Sequence, residues 1–213
     1  MIIYDKETAD KIAAYLLKID AIKLNTDKPF VWASGLLSPI YCDNRISLSY
    51  PEIRTYIKNG LVNACKKHFG NADIIAGVAT AGIPQGALVA DKLNLPFVYV
   101  RSAKKSHGLT NQIEGHYSEG QNVVVIEDLV STGKSSLAAV DALKAAGLNV
   151  LGMLSIFTYQ LEAAERNFKE KKIKLISLSG YDYLIETALQ IKYIRETQLH
   201  TLKQWRNNPE NWR

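Results

Sequence analysis

Little in the 213-residue sequence points outside an aqueous, reducing compartment. It has only two cysteines, Cys42 and Cys65. They lack metal-ligand spacing and do not make a disulfide framework, so the cytoplasm is the expected location. No apolar run approaches the roughly 20 residues that cross a bilayer, which excludes a membrane-spanning helix. The opening stretch, Met1 to Glu7, has neither a basic n-region nor an apolar h-region, and no secretory signal is read there. Internal repeats, low-complexity segments and long basic tracts are absent as well. The missing basic tract matters because the net charge is +5 and the pI about 9.0. Without such a tract, the excess positive charge fits a site for a polyanionic small molecule as well as it fits nucleic acid. What is present is 47% hydrophobic and 22% charged residues, the balance of a globular chain. The length suits one α/β domain with a modest addition.

The richest stretch is Asn122-Val123-Val124-Val125-Ile126-Glu127-Asp128-Leu129-Val130-Ser131-Thr132-Gly133-Lys134-Ser135-Ser136. Four β-branched residues in a row read as a strand buried on both faces, as in a parallel sheet. Glu127 and Asp128 follow at its end. A small, hydroxyl-rich loop comes next, and then a helix over 137–146, stopped by Gly147. The N–H groups of such a loop and helix start form a nest for a phosphate. Carboxylates beside the nest accept hydrogen bonds from hydroxyls. A ligand with a phosphate at one end and vicinal hydroxyls nearby is a sugar phosphate. Gly133-Lys134-Ser135 also has the ending of a Walker A loop. That motif needs a glycine five positions before its Gly-Lys pair, and the position holds Asp128.

Elsewhere, strands and helices alternate. Ile12, Tyr15, Leu16, Ile19 and Ile22 keep helical spacing and predict one amphipathic helix over about 6–23. Residues 30–45 read as two short strands joined by a Ser-Gly turn. Pro51 opens a helix to about Phe69. A buried strand over 73–78 runs into the small-residue turn Ala79-Thr80-Ala81-Gly82, which lets backbone approach a ligand closely, and a helix follows from about Pro84 to Leu93. The strand over 97–101 exits into a long loop, 102–115, that concentrates Arg101, Lys104, Lys105 and His107 within seven positions. A loop of that length in a compact domain is usually functional or disordered, and this one leaves the C-terminal end of a strand, where α/β sites lie. A strand over 149–159, a helix over about 161–171, a short strand over 175–178, a turn at Gly180-Tyr181-Asp182 and C-terminal helices complete the chain. The expected fold is α/β, a mostly parallel central sheet with helices on both faces.

Three segments, in this order, resemble the type I phosphoribosyltransferases and, within them, the orotate phosphoribosyltransferases. Ser34-Gly35 with Ser38-Pro39, Tyr41 and Asp43 is similar to the N-terminal hood of that family. Arg101, Lys105 and His107-Gly108 are similar to its catalytic loop. Val123 to Ser135 is similar to its phosphoribosyl-pyrophosphate (PRPP) motif. The resemblance runs from about Phe30 to Tyr159. It implies one phosphoribosyltransferase domain, with an N-terminal helix and hood over about 1–50, an α/β core over about 51–180 and C-terminal helices over about 181–213.

The implied reaction joins orotate to the ribosyl group of PRPP, releasing pyrophosphate, in pyrimidine biosynthesis. The implied catalytic residues are Lys105, His107 and Arg101. PRPP falls to these, to Lys104, and to Glu127, Asp128, Leu129, Val130, Ser131, Thr132, Gly133, Lys134 and Ser135. Orotate falls to Ser131 and Tyr41. Mg²⁺ is expected chiefly through PRPP, with no directly ligating residue assigned. A homodimer with the loop acting in trans is expected, with no nucleic-acid or membrane partner. The chain departs from many relatives at Ala33 and from some at Ala81, Ser102 and Thr158, where lysines or, at Thr158, an arginine stand; those contacts are not carried over, with Lys104 a partial replacement for the lysine at Ser102. His107 is open between proton donor and hydrogen-bond donor. A purine-using phosphoribosyltransferase and a PRPP-sensing regulator that binds nucleic acid are the alternatives. The hood argues against the first, and the intact catalytic loop against the second.

Overall fold

The alternation of β-branched runs with amphipathic stretches becomes, in the computed structural model, a central sheet between two layers of helices. The structure describes residues 1–32, 35–102 and 112–212. In chain order these form β1 (Ile2–Ile3), α1 (Lys6–Lys18), β2 (Ile22–Leu24), β3 (Phe30–Val31), β4 (Leu37–Ser38) and β5 (Ile40–Cys42). A 3-10 turn (Asn44–Ser49) leads to α2 (Pro51–His68), β6 (Ile74–Val78), α3 (Gly82–Leu93), β7 (Phe97–Val100) and β8 (Ile113–Glu114). Then follow β9 (Asn122–Val130), α4 (Lys134–Ala145), β10 (Asn149–Thr158), α5 (Glu162–Glu170), β11 (Leu175–Gly180), α6 (Tyr181–Gln190) and α7 (Glu196–Asn207), and a last 3-10 turn spans Pro209–Asn211.

Among the described residues the main sheet has seven strands in the order β1-β11-β10-β9-β6-β7-β8. Every pairing is parallel except β7 with β8. The period of two along β9 divides its side chains between two cores. Val124 and Ile126 join the core that holds Ile12, Leu16, Ile57, Leu61 and Val89. Val123 and Val125 face Leu137, Val140, Leu143 and Phe168 on the other side. β9 is thus the central wall, covered on both faces, as its run of β-branched residues predicts. Two antiparallel pairs, β2 with β5 and β3 with β4, stand apart from the main sheet. The chain reverses between β3 and β4 at Gly35, whose φ of +84° is the left-handed region that glycine occupies without strain.

Several sequence expectations need correction. The first helix stops at Lys18 rather than about Lys23. Asp20 turns the chain with a φ of 55°, and Ile22 enters β2. Ile22 is fully buried all the same. The core therefore needs it at that position, and its helical spacing from Ile19 is coincidental. The acidic pair lies within β9 rather than beyond it, because β10 is long enough to pair with Glu127, Leu129 and Val130. α3 and α4 begin earlier than read, at Gly82 and Lys134, which shortens the turns before them. Gly180 to Asp182 is a direct strand-to-helix junction, not a separate turn. β8 was not anticipated. It is two residues long, too short for any period to be visible.

Candidate active site

The order of the strands sets the site. From β6 the chain moves outward to β7, then returns to the other side of β6 as β9 and continues outward through β10 and β11. The connections therefore diverge between β6 and β9. In open α/β sheets that divergence opens a crevice at the strands' carboxyl ends, where ligands bind. The two turns that border it are Ala79–Ala81 after β6 and Ser131–Gly133 after β9. They are held close by Gly82: a Cβ built there would lie 2.5 Å from the Ile126 carbonyl oxygen and 3.4 Å from Glu127 Cα. The Ala79–Thr80 peptide in the first turn is cis.

Glu127 is buried and Asp128 half-buried at this crevice. Glu127 Oε2 accepts from Ser136 Oγ at 2.8 Å, and Oε1 accepts from the Asp128 N–H at 3.0 Å. Ser136 is the first buried residue of α4, so the helix that follows the loop reaches back to orient the acid. Burial, and then the neighbouring Asp128 charge, push Glu127 from the usual 4.5 up to about 8. Burial also raises Asp128. The backbone carbonyl of Asp128 accepts from Asn44 Nδ2 at 2.7 Å, which ties the 3-10 turn after β5 to the acidic pair. Two carboxyl groups kept from bulk water, one of them oriented by protein donors, present oxygens that can accept from ligand hydroxyls.

The turn that follows is shaped for an anion. Gly133 has a φ of +77°, and a Cβ there would meet Phe168 at 2.5 Å. The Thr132 carbonyl accepts from Asn167 Nδ2 at 2.9 Å, so α5 fixes the loop from behind. The N-cap of α4 is Gly133, and among the described residues no side chain caps that helix start. Its first-turn N–H groups and the Ser131, Thr132 and Ser135 hydroxyls can then converge on a phosphate. Ser131 also lines a cavity of about 260 Å³, together with Val31, Trp32, Tyr41, Cys42, Leu129 and Tyr159. Trp32 packs on Tyr159 with ring centroids 5.2 Å apart, and Phe30 packs on Tyr41 at 5.7 Å. Burial holds the Tyr159 hydroxyl well above its ordinary range, so it remains protonated. Aromatic walls next to a phosphate turn suit a flat ring joined to a sugar phosphate.

A family model described as phosphoribosyl transferase domain matches residues 50–183. An orotate phosphoribosyltransferase of Cytophaga hutchinsonii is 53% identical over 210 residues, 99% of each chain. The chain belongs to the orotate phosphoribosyltransferase family. Solved structures agree in fold. The orotate phosphoribosyltransferase of Aeropyrum pernix aligns with a TM-score of 0.75 at 28% identity, covering 86% of this chain and 99% of that one. The UMP synthase of Leishmania donovani aligns with a TM-score of 0.78 at 26% identity, covering 94% of this chain but only 43% of its own.

Set against the family resemblance, the structure gathers Glu127, Asp128, Leu129, Val130, Ser131, Thr132, Gly133, Lys134 and Ser135 along one edge of the crevice, and it brings Tyr41 and Ser131 to one cavity. Arg101 stands at the end of β7, where its Nη1 lies 3.6 Å from Glu114 Oε1 and its N–H donates to the Gln112 carbonyl. Lys104, Lys105 and His107 lie outside the described residues, as does Ala33. Thr158, where some family members have an arginine, is fully buried. Its Oγ1 accepts from the Gln160 N–H at 3.2 Å and sits 3.8 Å from Met1 Sδ. Sequence reading missed Asn44, Ser136, Trp32 and Tyr159. A signal existed for Ser136, the third residue of a helix whose loop carries the motif. Trp32 and Tyr159 are ordinary core aromatics until the hood is folded over β9 and β10.

Two stability effects follow from this geometry. Gly82→Ala puts a methyl group into a backbone carbonyl that cannot rotate away. It is expected to destabilise by about 1–3 kcal/mol, read as a lower thermal midpoint. For Glu127 the raised folded-state pKa means that, between about pH 4.5 and pH 8, the native chain binds more protons than the unfolded chain. Stability therefore falls as pH rises through that window. Glu127→Gln removes the penalty. The variant is expected to melt above wild type at pH 8, and to lose that advantage on acidification towards pH 4.5.

Proposed function

We propose that this chain transfers the 5-phosphoribosyl group of PRPP to orotate, giving orotidine 5′-monophosphate and pyrophosphate, a step of pyrimidine biosynthesis. The observation that carries the reading is that Ser131, which opens the turn after the acidic pair, also lines an aromatic-walled cavity. The Cytophaga hutchinsonii relative, named for the same activity and matched over nearly its whole length, supports it.

In this reading the N–H and hydroxyl groups of residues 131–135 bind the 5′-phosphate, and Glu127 and Asp128 accept from the ribose 2′- and 3′-hydroxyls. Leu129 and Val130 hold the backbone between them. Tyr41 and Ser131 bind orotate, and Trp32 and Tyr159 bound its slot. Breaking the bond from ribose C1 to pyrophosphate leaves oxocarbenium character on the sugar and negative charge on the leaving group. Arg101, Lys104, Lys105 and His107 supply positive charge to that group. For Arg101 this requires exchange of Glu114 for the ligand. Among the described residues no three His, Cys, Asp or Glu side chains cluster as a metal cage. In this reading Mg²⁺ is held chiefly by PRPP oxygens, the usual way a hard, reluctantly dehydrated ion meets a diphosphate. When bound, Mg²⁺ neutralises charge on the diphosphate.

The chain is further proposed to act as one phosphoribosyltransferase domain, with its basic loop serving the neighbouring site of a cytoplasmic homodimer. Among the described residues no helix is long and apolar enough to cross a membrane. The test is turnover of orotate with PRPP, with and without Mg²⁺, against adenine and hypoxanthine as competing bases. Mg²⁺-dependent loss of orotate is expected. Turnover of a purine instead, or salt-sensitive nucleic-acid binding without turnover, would replace this reading.

A further inference from the structure

The cavity assigned to the base does not stand on the hood and the PRPP motif alone. Two of its walls, Trp32 and Tyr159, rest on a third ring that lines neither the cavity nor the crevice. Trp205, on α7, is fully buried. It meets Trp32 edge-on at 5.6 Å and Tyr159 edge-on at 5.9 Å, and packs on Tyr181 at 5.3 Å. Tyr181 in turn donates from its hydroxyl to the Leu202 carbonyl of the same helix, at 3.1 Å. The next residue repeats the connection in polar form. Arg206 Nη1 lies 3.5 Å from Asp182 Oδ2, an oxygen that also accepts from Gln160 Nε2 at 3.3 Å. Gln160 Oε1 accepts from the Asp182 N–H at 2.9 Å. Consecutive residues of α7 thus brace consecutive residues, Tyr159 and Gln160, where the chain leaves β10.

The indole Nε1 of Trp205 has no hydrogen-bond partner among the described residues. A buried donor left unpaired is unfavourable, so its polarity does not explain a tryptophan here. Its size does: the indole reaches both rings at once from behind.

We propose that Trp205 is a positioning residue for the base pocket, acting through Trp32 and Tyr159 to fix the width of the slot that receives a planar pyrimidine. The inference rests on the orotate reading given above. Removing the indole leaves a void into which the two wall rings relax, because cores close only partly around a lost side chain. The slot then loses its fit to a flat ring, while the turn over 131–135 and the acidic pair, held by Asn167, Ser136 and Asn44, stay in place.

Steady-state kinetics with orotate and PRPP varied separately test this. Trp205→Leu is expected to raise the KM for orotate about tenfold, the scale of a mis-shaped apolar pocket, and to leave the KM for PRPP within about twofold. Trp205→Phe, which keeps a ring and drops the unpaired N–H, is expected to recover most of the loss. Equal increases in both KM values, or a fall in kcat alone, would mark Trp205 as a general core residue and overturn the proposal. Should Trp205→Leu fail to fold, Arg206→Ala decides from the partly exposed side of the same brace. A rise of about threefold in orotate KM with PRPP KM unchanged supports the proposal, and no change in either overturns it. A wild-type protein that turns over no orotate would instead sink the functional reading, and this inference with it.

Discussion

Lys105→Ala is expected to lower kcat by about 10²–10³-fold, the scale of losing one preorganised charge stabiliser. The leaving group is a diphosphate whose charge rises as the bond to ribose C1 breaks. A cation that meets the charge only as it develops acts on kcat more than on ground-state binding. Lys105 falls in the basic run Arg101 to His107, matched residue by residue to the family's catalytic loop at Arg101, Lys105 and His107. Arg101 and His107 remain in the variant, so residual turnover above background is expected. Single-turnover measurements separate chemistry from product release. A variant with near wild-type turnover would remove Lys105 from the reaction.

The second large effect lies on the binding side. Asp128→Asn keeps the shape of the side chain and the Asn44 contact, which is made to the Asp128 backbone carbonyl rather than to its carboxylate. What it removes is the charge that, in the proposed clamp, strengthens hydrogen bonds from ribose hydroxyls. Such bonds to charged groups contribute about 1.5–3 kcal/mol each, so PRPP affinity is expected to fall by about 10–100-fold. Orotate binding to the aromatic cavity should be much less affected. Calorimetric titration with PRPP reads this directly, and unchanged affinity would end the ribose-clamp assignment.

Much of this arrangement is legible in the sequence, because β9 and its turn lie in one continuous stretch. Four β-branched residues announce a strand covered on both faces. Two acids, a hydroxyl-rich turn and a helix follow in the order that their chemistry requires. The resemblance of the hood, basic loop and PRPP motif, in that order, carries the reading to the family that the relatives confirm. Contacts between distant parts of the chain are not legible. The crevice depends on β9 returning to the far side of β6, a fact of strand order that no local pattern encodes. Asn44 reaches Asp128 across 84 positions, and Trp205 reaches Trp32 from the opposite end of the chain. Periodicity also misled where a tertiary demand imitated it. Ile22 is buried because β2 needs it, and its spacing from Ile19 only happened to be helical.

The most direct measurement is a crystal structure with PRPP and Mg²⁺ bound. The expected result places the 5-phosphate within hydrogen-bond distance of the N–H groups of residues 131–135, with the ribose 2′- and 3′-hydroxyls on Glu127 and Asp128. PRPP seated away from the crevice between β6 and β9, or both carboxylates turned from the sugar, would contradict it.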